Sequence, residues 1–237
     1  MFSIKKLLGQ VRRAIEDYNM IQEGDRIAIG VSGGKDSLVL LVLLRQLQSF
    51  YPINFELEAV TLTMGIGEFD LGTVKELCKK IGVNYTIEDT LIGKIVFEAR
   101  NESNPCSLCA NLRRGALHNV AKELNCNKVA LAHHRDDVIE TFLLSTLYAG
   151  KFQTFSPVTF LERKELHLIR PMVYIEEKHI KQYIRDNNLT IVPSPCHVDG
   201  KTKRQYIKDL LKDLHKDNKN VKNNIFGAIK RSGIDDW

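Results

Sequence analysis

Short apolar runs alternate with longer segments of helical period along this chain. Asp25 to Ile29 (DRIAI) reads as a short buried strand, followed by a glycine-rich turn and a helix carrying SLVLLVLLRQLQ. Phe55 to Leu62 (FELEAVTL) alternates and then turns apolar, which predicts a second strand. A helix over Thr73 to Ile81 and a short strand over Asn84 to Glu88 come next. A long helix over Cys106 to Leu124, a strand over Lys128 to Ala132 and a helix over His134 to Leu147 follow. Strands alternating with helices of this length predict an α/β fold, a parallel sheet with helices on both faces. Ligands in such sheets sit beyond the carboxyl ends of the strands, where the turns after Ile29 and Leu131 fall.

Outside this alternation the pattern changes. Met1 to Glu23 reads as an N-terminal helix. From Lys151 a strand pair, Thr154 to Phe160 and Leu166 to Ile169, leads to Pro171 and a helix over Glu176 to Asn187. A proline-rich turn (IVPSPCHVDG) and two basic helices complete the chain. The expected organisation is an N-terminal helix over 1–23, a nucleotide-type domain over 24–170 and a helical, basic C-terminal extension over 171–237. The longest apolar run, Leu38 to Leu44, is seven residues, against the roughly 20 that a membrane helix needs. With no leader pattern at the start, a cytoplasmic protein without membrane contact is expected.

Composition adds one asymmetry. Of the net charge of +5, the segment Lys201 to Arg231 carries +7, from ten basic and three acidic residues. A one-sided basic tail is either a polyanion-facing surface or a solvated helix face. The five cysteines are Cys78, Cys106, Cys109, Cys126 and Cys196. An odd number without a secretory context argues for metal or redox use of a subset. Cys78 and Cys126 stand alone in helix-like contexts and read as buried structural thiols.

The turn Gly30-Val31-Ser32-Gly33-Gly34-Lys35-Asp36-Ser37 joins a strand to a helix. Its glycines let backbone amides converge on an anion at a helix N-terminus, Lys35 adds a point charge, and Ser32 and Ser37 add hydroxyls. The spacing is that of neither a Walker loop nor G-x-G-x-x-G. SGGKDS in this setting resembles the pyrophosphate loop of N-type ATP pyrophosphatases, which cleave ATP between the α- and β-phosphates and adenylate a substrate.

Two further constellations carry chemistry. His133-His134-Arg135-Asp136-Asp137 follows a strand and opens a helix, so its His and Asp residues are candidates for Mg²⁺ or phosphate, or simply an N-cap. Pro105-Cys106-Ser107-Leu108-Cys109 opens the helix that runs on through Arg113-Arg114-Gly115. Thiols at this spacing share a metal or cluster, or form a redox pair. With Cys196 as a third thiol, the residues leave open a Cys₃His zinc site using His197 or His118, or an iron–sulfur cluster.

In order, SGGKDS, CSLCANLRRG, HHRDDVIET, IRPMVY and the Cys196-x₇-Arg204-Gln205 spacing resemble the tRNA 2-thiocytidine synthetases of the same superfamily. Lysidine synthetases share the first and third motifs but lack the cysteine set. The resemblance implies a [4Fe–4S] cluster on Cys106, Cys109 and Cys196, with an open iron carrying the transferred sulfur. Where relatives often have small and amide residues after the third cysteine, this chain has His197-Val198-Asp199, and His197 is a candidate for the fourth position. The resemblance further implies ATP on Ser32, Gly33, Gly34, Lys35, Asp36 and Ser37, with His133, Thr61 and Thr63 bordering the nucleotide. Asp36 and Asp137 are candidates for Mg²⁺, and Lys35, Asp36, Asp137 and the three cysteines for the catalytic set. Expected partners are tRNA, met by the basic helices with Arg113, Arg114 and Lys151, a sulfur donor such as a cysteine desulfurase, and a second copy in a homodimer. The rivals are thiolation of a uridine, a small-molecule ATP pyrophosphatase with structural zinc, and an RNA-binding module without catalysis.

Overall fold

The computed structural model describes residues 4–66, 70–99, 105–193 and 203–237. Its centre is a six-stranded sheet of order β3-β2-β1-β4-β6-β5. The strands are β1 (Asp25–Gly30), β2 (Phe55–Leu62), β3 (Asn84–Glu88), β4 (Lys128–Ala130), β5 (Val158–Leu161) and β6 (Leu166–Ile169). All neighbours run parallel except β5, which returns antiparallel on β6 at the edge, Val158 opposite Ile169. The α/β expectation holds, with a sheet that is mainly rather than wholly parallel.

Side-chain alternation divides the sheet between two cores. Ile27, Ile29, Leu57, Ala59, Ala130 and Ile169 face the larger one, whereas Ala28, Val60, Val129, Leu166 and Leu168 face the smaller. On the smaller side lies α5 (Pro105–Glu123), burying Leu117, Val120 and Ala121. The larger side takes α1 (Ile4–Asp17), α2 (Lys35–Gln48), α3 (Gly72–Ile81), α6 (Arg135–Ala149), α7 (Glu177–Asp186), α8 (Lys203–Asp217) and α9 (Val221–Ser232). A short helix, α4 (Ile92–Lys94), continues as a single π turn between β3 and α5. Leu7 of α1, Ile180 of α7, Ile207 of α8 and Phe226 of α9 all enter the larger core, so one apolar cluster joins both chain ends to the sheet.

Local sequence explains these elements. In α2, Ser37 to Leu44 is buried without a break, as a helix apolar all round must be, and the sheet lies on one side of it with α1, α3 and α7 on others. Glycines in the left-handed conformation stop α3 at Gly82 and α6 at Gly150. At the base of the sheet, Lys128 Nζ bonds Asp25 Oδ2 (2.7 Å) and the Met20 carbonyl (3.0 Å), with both side chains about 95% buried. Gln22 N–H and Asn127 Nδ2 donate to the same carboxylate, so β1, β4 and the segment after α1 meet at one buried ion pair. No described helix is long and apolar enough to cross a membrane.

The chain runs from β1 outward to β2 and β3, then crosses under the sheet through α5 to β4 on the other side of β1. The strand order therefore reverses between β1 and β4. A crevice opens there at the carboxyl ends, where ligands of open α/β sheets bind.

Candidate active site

β1 ends in a turn whose geometry is set by hydrogen bonds rather than by a side-chain cap. Val31 N–H donates to the Val60 carbonyl (2.8 Å), and Ser37 Oγ accepts from Ser32 N–H (3.1 Å) while donating to the Gly34 carbonyl (2.9 Å). Gly33 has φ +75°, and a Cβ there would lie 2.8 Å from Val192 Cβ, so only glycine fits. The Gly33 carbonyl in turn accepts from Val192 N–H at 3.0 Å. Gly34 caps α2 with no side-chain acceptor. The first amides of α2 are left for an external anion.

The second turn follows β4. His134 is the N-cap of α6: its Nδ1 accepts from Asp137 N–H (3.3 Å), and Asp137 Oδ2 accepts from His134 N–H (2.9 Å). The capping role read from the sequence is thus real, and Asp137 performs it while still lining the crevice. His133 packs its ring on Phe155, with centroids 4.7 Å apart, and its Nδ1 is buried without a partner. Burial and then the nearby Arg170 push its pKa down to about 4, so the imidazole is neutral at working pH.

These parts close around a cavity of about 430 Å³. Its polar floor is Ser32, Gly34, Asp36, Ser37, His133 and Asp137, and its apolar walls include Val60, Leu62 and Leu131. From the other face of the sheet α5 contributes Ala110, Arg113, Arg114 and Leu117. Asp36 Oδ1 is buried without a hydrogen-bond partner.

Known proteins resemble this chain in sequence and in fold. The PP-loop domain family matches residues 5–214. The "tRNA-cytidine(32) 2-sulfurtransferase" of Geobacter metallireducens is 38% identical over 228 residues, 95% of this chain and 89% of that one. Its counterpart in Geobacter sulfurreducens is 39% identical over the same shares. This chain belongs to the tRNA-cytidine 2-sulfurtransferase family of PP-loop proteins. Among solved structures, the U34-tRNA thiolase of Methanococcus maripaludis with its [4Fe–4S] cluster superposes with a TM-score of 0.78 at 25% identity, covering 96% of this chain and 78% of that one. An NH₃-dependent NAD synthetase from Campylobacter jejuni shares the fold alone, with a TM-score of 0.51 at 17% identity over 98% and 93% of the two chains.

Set against this family, the residues singled out in the sequence divide into groups. Ser32, Gly34, Asp36, Ser37, His133 and Asp137 line the cavity. Gly33 sits just behind it against Val192. Thr61 and Thr63 stand at the end of β2 off the lining. Thr61 Oγ1 donates to the Val31 carbonyl (2.5 Å) and accepts from Tyr85 (2.9 Å), while Thr63 donates to Asp89 (3.0 Å); Val60 and Leu62 face the cavity instead. Lys35 also leaves the lining. Its Nζ lies 2.8 Å from Asp36 Oδ2 and 3.1 Å from Glu177 Oε1. Burial alone would lower its pKa, but these carboxylates raise it above the ordinary lysine value.

Cys106 and Cys109 occupy the first turn of α5, one exposed and the other half-buried, on the helix whose following turns line the cavity. Residues three apart share a helix face. Cys78 and Cys126 are buried, and desolvation pushes each thiol up to about 11, which suits packing and not ligation. His118 lies nine residues beyond Cys109 on the same helix, about 13 Å along its axis, too far to share a metal with that thiol. Cys196 and His197 lie outside the described residues, and no group of three metal-binding side chains occurs among the described ones. The flanks of that segment are tied to the site, by Val192 on Gly33 and by Arg204 on α6. Two thiols three residues apart thus stand on the first turn of the helix that lines the cavity.

The basic tail is different from its sequence appearance. Arg204 bonds Glu140 (3.2 Å), Asp137 (3.5 Å) and Thr141 (3.1 Å). Lys222 bonds Asp136 (2.5 Å), and Lys208 lies between Glu140 (3.9 Å) and Glu177 (3.8 Å). These three cations, half-buried, hold α8 and α9 on the HHRDDVIE helix, whereas Lys212 and Lys216 remain fully on the surface. Sequence reasoning missed Glu177 altogether, because its partners Lys35, Asp136 and Lys208 lie far away in the chain. Glu140, in contrast, was present in the HHRDDVIET motif, and burial raises its pKa against the pull of Lys208 and Arg204.

Proposed function

We propose that this chain thiolates a cytidine of tRNA at C2, spending one ATP to activate the carbonyl oxygen that sulfur replaces. One observation carries the reading: a single cavity is lined by the phosphate loop, the second motif and the helix bearing Cys106 and Cys109. The curated relatives at 38–39% identity, named for cytidine, favour that base over uridine.

The amides at the start of α2 and the hydroxyls of Ser32 and Ser37 receive the phosphates of ATP. Val60, Leu62 and Leu117 give the adenine an apolar wall. Asp36 Oδ1, which has no hydrogen-bond partner and lies 3.7 Å from His134 Nε2, fits a ligand for Mg²⁺, with Asp137 lining the same cavity. The cytidine O2 attacks the α-phosphorus, an O–P bond forms, and the bond to pyrophosphate breaks with its electrons leaving on pyrophosphate. Arg113 and Arg114, fixed charges on α5, stabilise the charge that develops on the adenylyl group in transfer. A sulfide then adds at C2 and AMP departs with the former carbonyl oxygen. Cys106 and Cys109, together with Cys196, would hold a [4Fe–4S] cluster, whose chemistry is to present that sulfur. Cys196 comes four positions after Val192 in the chain, a reach of at most about 14 Å from it. Thiolation at C2 requires an unstacked base, which an anticodon loop provides. Sulfur comes ultimately from a donor of the cysteine desulfurase type.

Nucleoside mass spectrometry of bulk tRNA with and without the gene tests this reading. The account expects 2-thiocytidine to vanish while thiouridines persist. Persistent 2-thiocytidine with a missing thiouridine would move the activity to that base, and no thionucleoside change would remove tRNA as the substrate.

A further inference from the structure

Glu177 opens α7 and belongs to neither the phosphate loop nor the second motif. Its backbone N–H donates to Asp136 Oδ2 at 2.7 Å, so the second motif fixes where the side chain begins. From there the carboxylate meets ammonium groups from three elements. Lys35 Nζ on α2 lies at 3.1 Å, Lys181 Nζ one turn along α7 at 3.0 Å, and Lys208 Nζ on α8 at 3.8 Å. The side chain is 17% exposed. Burial would raise its pKa, but these lysines outweigh burial and bring it down to about 2. Glu177 is therefore an anion throughout the working range.

The Lys35 ammonium has three N–H donors. Asp36 takes one at 2.8 Å and Glu177 takes another, which leaves one. Asp36 is the next residue on the same helix, and a four-carbon stem tethered only to it keeps most of its rotamer freedom. Glu177 ties the tip to a different helix, and that helix to α8. Because Lys181 and Lys208 share the same carboxylate, Glu177 fixes Lys35 without neutralising it. A lysine held in this way presents its remaining donor from a defined point, the condition for binding a phosphate with little further ordering.

We infer that Glu177 is the positioning residue for Lys35, holding its ammonium ready for the phosphates of a nucleotide on the loop. The inference rests on the ATP reading above and adds to it a residue outside the family motifs.

The test is direct ATP binding to the full chain by calorimetry, without tRNA or cluster, with circular dichroism as the check on folding. Glu177→Gln is expected to weaken ATP about tenfold, and Glu177→Asp, which keeps the charge but draws it back by one methylene, about threefold. In a Lys35→Ala background, Glu177→Gln is expected to add less than twofold, since the residue acts through Lys35. A merely structural Glu177 would add its full factor in either background, and that result overturns the inference. So does a Glu177→Gln protein that binds ATP within twofold of the wild type. If Glu177→Gln does not fold, Glu177→Asp carries the same comparison in the two backgrounds. A wild-type chain that binds ATP but thiolates no tRNA removes the substrate reading and leaves the Glu177 result standing, whereas one that binds no ATP removes both.

Discussion

Replacing Gly33 by alanine tests how the loop and the segment leading to Cys196 depend on one another. Gly33 has φ +75°, a region that costs an L-residue roughly 1–2 kcal/mol. The added Cβ would sit 2.8 Å from Val192 Cβ and 3.1 Å from Val192 Cγ2, atoms close to the backbone that cannot swing aside. Overpacking of that kind costs about 1–3 kcal/mol. Together the two effects predict a loss of about 2–5 kcal/mol, which for a chain of this length lowers the melting temperature by roughly 5–15 °C. Relief by movement would break the 3.0 Å bond from Val192 N–H to the Gly33 carbonyl and displace the loop, so ATP affinity falls as well. The assay is denaturant unfolding and ATP binding in four proteins: wild type, Gly33→Ala, Val192→Gly and the double variant. In the Val192→Gly background the overlap is gone and only the conformational term of about 1–2 kcal/mol remains. A Gly33→Ala protein as stable as the wild type would refute the reasoning, as would an equal loss in both backgrounds.

Three other outcomes are expected. Lys128→Met, which strands the buried Asp25 carboxylate without its cation, should cost about 3–5 kcal/mol in urea unfolding, and Asp25→Asn in the same chain should restore a good part of it. His133, with its pKa down at about 4, takes up no proton in the folded chain until well after the unfolded chain has done so near pH 6.5. Stability present above pH 6.5 is therefore lost as pH falls towards 4, and His133→Asn should flatten this loss in unfolding midpoints measured at pH 7 and 4.5. Cys106→Ser should abolish iron binding in anaerobically reconstituted protein yet leave ATP affinity within about twofold, since the thiol lies on the first turn of α5 and not in the cavity lining. Stoichiometric iron in that variant would contradict the cluster assignment.

Much of the sheet was legible because its signals are local. β2 and β3 lie where the sequence pattern placed them, and α3 and α6 stop at glycines whose positive φ no other residue adopts so readily. Where tertiary hydrogen bonds decided, the boundaries moved. The strand expected over Lys128 to Ala132 ends at Ala130, after which Leu131 N–H makes one last bond to the Ile169 carbonyl (2.9 Å) and Leu131 and Ala132 line the cavity. The strand expected from Thr154 begins at Val158, since Thr154 instead bonds Val138 and Asp235. The N-terminal helix stops at Asp17, short of Glu23, and the chain after it feeds the buried Asp25–Lys128 pair.

The site shows the same division. Ser32, Gly34, Asp36 and Ser37 fall within six consecutive residues, so a motif could carry them. The pairing of Lys35 with Glu177 spans a long stretch of chain and leaves no periodic trace. The basic tail was legible only in part for a related reason: charge was visible, but not that Arg204, Lys208 and Lys222 would face Asp136, Asp137, Glu140 and Glu177.

The most direct test of ATP-dependent cytidine thiolation is reconstitution in an anaerobic chamber. Purified chain loaded with iron and sulfide is incubated with unmodified tRNA, ATP and sulfide, and nucleosides and nucleotides are quantified together. The account predicts 2-thiocytidine with one AMP and one pyrophosphate formed for each sulfur incorporated. Thiolation without ATP, or ADP in place of AMP, would contradict it.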